Sequence, residues 1–75
     1  MFLTSDIVKK GSKRYIVTGV DDSDPKHILY TCIRDTLDNR RFILHGMLNH
    51  PDVSSAINVP YETFKASELK FVEAL

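Results

Sequence analysis

The chain has 75 residues, and its ten basic and ten acidic side chains cancel to a formal net charge of zero. That length makes one domain, residues 1–75, able to bury roughly 60% of the surface its unfolded form exposes. The zero balance argues against a dedicated non-specific nucleic-acid binder, whose affinity rests on a positive excess. A single cysteine, Cys32, rules out an internal disulfide and points to a reducing, cytoplasmic setting. Met1 to Asp6 carries no basic leader and no long apolar run, so no secretory signal is expected there. No stretch reaches the length that spans a bilayer, so no membrane partner is expected.

Asp6 to Lys10 reads as a short first strand, followed by the turn signal Gly11-Ser12. Lys13 to Val20 (KRYIVTGV) holds the Tyr, Ile, Val and Thr that favour a pleated, half-buried surface, and Gly19 within it suggests a bulge. Asp21 to Pro25 is a polar loop, and His27 to Arg34 (HILYTCIR) is the longest β-prone run. Asp35 to Asn39 reads as a hairpin loop and Arg40 to His45 (RRFILH) as a fourth strand, which completes an antiparallel meander. Gly46 to Pro60 has no period-2 pattern and reads as an insertion, with a short helix expected over Asp52–Ile57 behind Pro51. Thr63-Phe64-Lys65 reads as a short strand, Ala66-Ser67-Glu68 as a tight turn and Leu69 to Val72 as the last strand. One C-terminal helix from Tyr61 to Ala74 is the competing reading.

Asp6-Ile7-Val8, Tyr15-Ile16-Val17 with Val20, Tyr30 and Cys32, Phe42 and Leu44, and Ser67 to Val72 together resemble the strand pattern of small SH3-like barrels. Tudor and KOW modules are similar, as are short bacterial or phage proteins that open on a Gly-Asp-x-Val strand. Ser5 stands where those proteins often carry Gly. The resemblance implies an all-β fold, a five-stranded SH3-like antiparallel barrel with the long insertion 46–60 before its last strand. It implies no ligand, because such barrels host many functions.

Catalysis has little to stand on. Cys32 lies mid-strand among apolar neighbours, where a buried small hydrophobe is the expectation. His27, His45 and His50 do not form the paired spacing of a zinc site. Asp21-Asp22-Ser23-Asp24 lacks the distal Glu of a calcium loop. No phosphate-cradling Gly-rich loop is present. The reading is a non-enzyme with no catalytic residues, no metal and no cofactor.

Two surfaces carry functional content. If Tyr30, Cys32, Phe42 and Leu44 point inward, then Leu29, Ile33 and Ile43 form an outer aliphatic stripe rimmed by Arg34 and Arg41, and Ile16 joins it if Tyr15 and Val17 point inward. Exposed, that stripe would be a protein-binding or self-association surface. Covered by Met47, Leu48, Val53 and Ile57 of the insertion, it would be core. The other surface is the basic hairpin Lys9, Lys10, Lys13 and Arg14, extended by Arg40 and Arg41. It is suited to successive phosphates or, equally, to a solvated sheet edge. The first expectation is a small protein-interaction module or regulator, phage-encoded on the resemblance, with a protein partner or homodimer. The alternative is a KOW- or Tudor-like module that binds nucleic acid or ribosomes.

Overall fold

The computed structural model describes residues 1–44 and 60–75. The chain is all-β. Five strands, β1 (Asp6–Lys10), β2 (Lys13–Asp21), β3 (Leu29–Arg34), β4 (Tyr61–Lys65) and β5 (Lys70–Ala74), form one antiparallel sheet in the order β4-β3-β2-β1-β5. Gly11 has φ of 62° at the first position of the two-residue β1–β2 turn, where a side chain would be strained. The register between β2 and β3 slips between Val17 and Gly19, which is the expected bulge. The tight turn is a 3-10 turn, Ala66–Glu68, and a strand on each side of it replaces the competing C-terminal helix.

The sheet curls strongly, so that β4 turns back over β1 and β2. Neighbouring strands are about 4.8 Å apart, so β1 and β4 would lie about 14 Å apart in a flat sheet. Instead Lys10 Nζ of β1 lies 4.8 Å from the Phe64 ring centre of β4 and 3.2 Å from Glu68 Oε1. The Tyr15 and Phe64 rings, on β2 and β4, meet edge-to-face at 4.9 Å. Right-handed twist together with the Gly19 bulge accounts for this barrel-like closure.

Strand alternation then divides the core in two. Val8, Tyr15, Val17, Tyr30, Cys32, Phe64 and Leu69 fill the inside, with Phe2 packed beneath Tyr30. Ile7, Ile16, Ile33 and Ile43 form a second buried cluster on the outer face, with Val72 and Leu75 against it. A large aliphatic side chain fully buried in either cluster stabilises the fold by about 1.5–3 kcal/mol.

The expected fourth strand, Arg40 to His45, is corrected. Leu37–Phe42 is a helix, α1, and the fourth strand of the sheet is Tyr61–Lys65. The signals of α1 are local. Thr36 is its N-cap, with the side-chain oxygen accepting from Asn39 N at 3.1 Å. Asp38 lies in its first turn and Arg40 and Arg41 in its last, matching the helix dipole. Asn39 Nδ2 donates to Arg34 O at 2.8 Å and ties the helix to the end of β3. The helix also reverses the expected facing of RRFILH. Ile43 is buried and Leu44 is 45% exposed, whereas Leu44 was expected inside and Ile43 outside. The stretch between β3 and β4 runs from 35 to 60 and so precedes the last two strands. The expected helix over Asp52–Ile57 and the covering residues Met47, Leu48, Val53 and Ile57 lie outside the described residues, as do His45 and His50.

Candidate functional site: the basic hairpin end of the sheet

The aliphatic stripe is not a free surface. Ile16 is 0%, Ile33 5% and Ile43 4% exposed, and only Leu29 is half-buried. The physical reason is α1, which carries Ile43 onto Ile7, Ile16 and Ile33 while Val72 and Leu75 close the other side. The two rim residues, Arg34 and Arg41, are exposed. Arg34 lies with its guanidinium carbon 5.6 Å from the Tyr15 ring centre.

The basic residues separate by strand parity. Lys9 pairs with Arg14 and Lys10 with Lys13, so the first pair shares the outer face and the second the inner face. β5 adds a residue that sequence proximity does not reveal. Lys70 pairs with Lys9 across β1, so Lys70, Lys9 and Arg14 stand in one row across three strands. The row spans about 10 Å at ordinary strand spacing. All three side chains are exposed, and none takes part in the ion pairs formed among the described residues.

Two other cations of the predicted patch, Lys10 and Arg40, are committed. Lys10 bonds Glu68, whose carboxyl is held below its usual range chiefly by the Lys65 backbone N–H at 2.8 Å and then by Lys10. Arg40 was expected to extend the patch from a strand. It instead donates from Nη2 to Asp35 at 2.8 Å and to Glu73 at 3.3 Å, which pins α1 to β5. These bonds hold the Asp35 carboxyl below its usual range against the opposing effect of burial, with Arg14 a lesser contributor. Arg41, beside it on α1, stays exposed and outside those ion pairs.

Inside the same end, an open groove of about 550 Å3 runs between the hairpin turn and β4. Lys10, Ser12 and Lys13 form one wall, Tyr15 and Phe64 the floor and Glu62 the far wall. The Tyr15 hydroxyl is pushed upward, first by burial and then by the neighbouring Glu62 carboxylate. Glu62 is exposed and, unlike Glu68, belongs to none of the ion pairs among the described residues. Sequence reading missed both Glu62 and Lys70, because only the pairing of β4 with β3 and of β5 with β1 brings them to the hairpin.

Elsewhere, Cys32 is buried, and burial together with Glu62 pushes its thiol up to about 11. Among the described residues no three His, Cys, Asp or Glu side chains gather as a metal site, and no helix is long and apolar enough to cross a membrane. No protein-family model, curated protein or solved structure matches the chain.

Proposed function

We propose that this protein is a small non-enzymatic interaction module that holds a nucleic acid by its phosphates through the hairpin end of the sheet. The row Lys70–Lys9–Arg14 carries this reading. Like charges directly opposite one another in a sheet are destabilising, and an external polyanion relieves that cost. The zero net charge does not oppose a local site. The acidic cluster Asp21, Asp22 and Asp24 begins at the far end of β2, whose nine residues extend for about 30 Å. The reading assigns no nucleophilic role to Cys32, which is buried and whose thiol burial pushes up to about 11.

The experiment is a fluorescence-anisotropy titration with labelled mixed-sequence DNA and RNA, single- and double-stranded, at low and at moderate salt. Binding should weaken as salt rises. The slope of log affinity against log salt should fall by roughly 0.7–0.9 for each of Lys9→Ala, Arg14→Ala and Lys70→Ala. Lys26→Ala, in the loop after β2, should leave it unchanged. Absence of binding at low salt would sink the proposal, since phosphate contacts are strongest there.

A further inference from the structure

The groove at the hairpin end contains a carboxylate that its surroundings do not explain. Lys10 and Lys13 line the same groove, yet Glu62 ion-pairs with neither. Glu68 takes Lys10, while Glu62 stands beside Tyr15 on the groove lining with no ion-pair partner among the described residues. A carboxylate has four lone-pair sites, and this one lines the groove. The floor is the edge-to-face pair Tyr15 and Phe64, an aromatic surface with Lys10 stacked on one side.

A ligand for this groove needs donors for Glu62, a flat apolar body for the floor and a negative group for Lys13. A cation satisfies Glu62 but is repelled by Lys10 and Lys13. A plain anion satisfies the lysines but is repelled by Glu62. A nucleotide meets all three demands. Among the common bases only guanine has two adjacent donors, N1–H and the 2-amino group, matching the two oxygens of one carboxylate. Its partner hydrogen bonds are free only when the base is unpaired, which is how single strands are read.

We propose that the groove between the β1–β2 turn and β4 takes one unpaired guanine, with Glu62 accepting from its Watson–Crick edge and Lys13 holding an adjacent phosphate. This rests on the phosphate-binding reading above and adds to it a base preference and a preference for single strands.

The test uses the full chain and short oligouridylates carrying one central guanosine, inosine or adenosine, titrated by anisotropy. Inosine lacks the 2-amino group and keeps N1–H. The guanosine strand should bind about 5- to 100-fold more tightly than the adenosine strand, the range of one good bidentate contact, and the inosine strand, which keeps one of the two donors, should fall between them. Glu62→Gln should abolish these differences while keeping the salt slope, since the exposed side chain keeps its shape and loses only its charge and one of its two acceptor oxygens. Equal affinity for the three strands, or a guanosine preference that survives Glu62→Gln, overturns the base reading and leaves phosphate binding standing. No binding to any strand at low salt overturns both.

Discussion

Replacing Ile43 by alanine separates a covered outer face from an open one. Ile43 is 4% exposed and packs on Ile7, Ile16 and Ile33, two of which are completely buried. The substitution removes three carbon atoms from a packed site, at about 0.8 kcal/mol each, with a further cost for any cavity left behind. The expected loss is therefore about 2–4 kcal/mol. A domain of this length has only about 4–11 kcal/mol of total stability, so the loss is a large part of it. Urea unfolding followed by circular dichroism reads the change directly. With a slope near 1 kcal/mol per molar, typical of small domains, the midpoint should fall by about 2 M or more. Leu44→Ala and Leu37→Ala, at positions 45% and 65% exposed, should each stay within about 0.5 kcal/mol of the parent. If Ile43→Ala is as mild as these two, α1 does not cover the sheet and the aliphatic stripe is a free surface after all.

Ser5 has φ of 77°, a left-handed conformation that costs a residue with a side chain about 1–2 kcal/mol. Ser5→Gly relieves that strain but loses more unfolded-state entropy, so a net gain of about 0.5–1 kcal/mol is expected in thermal unfolding, and Ser5→Val should be destabilised. For Asp35, the Arg40 bonds keep the carboxyl below its unfolded value, so its contribution is present above about pH 4 and disappears as pH falls through the lower folded value. Asp35→Asn should cost about 1 kcal/mol at pH 7, a figure reduced because Arg40 is partly exposed to solvent, and the gap from the parent should close in acid. A gap that is constant from pH 7 to pH 2 would mean that the pair does not contribute as an ion pair.

Where local rules were enough, the sequence was legible. Gly11-Ser12 marks a turn that needs positive φ, Gly19 marks the bulge, and Ala66 to Glu68 marks the tight turn. Ser5, by contrast, occupies the left-handed region that glycine favours, which its side chain does not announce. RRFILH was misread because a short apolar run has no period long enough to distinguish strand from helix. The Thr36 cap and the acidic-to-basic order of Asp38, Arg40 and Arg41 were the signals that decide it.

By itself the sequence determined an all-β chain, most of its strand positions and the basic hairpin, because turn chemistry and period-2 patterning act between near neighbours. Tertiary structure alone decided which surface is left open. Whether Ile16 and Ile33 face water depends on where α1 lays Ile43. The composition of the hairpin end depends on Lys70 and Glu62, delivered by strands more than 45 residues further along the chain. Strand pairing is set by the packing of whole faces, and a face is assembled from residues that no local pattern in the sequence connects.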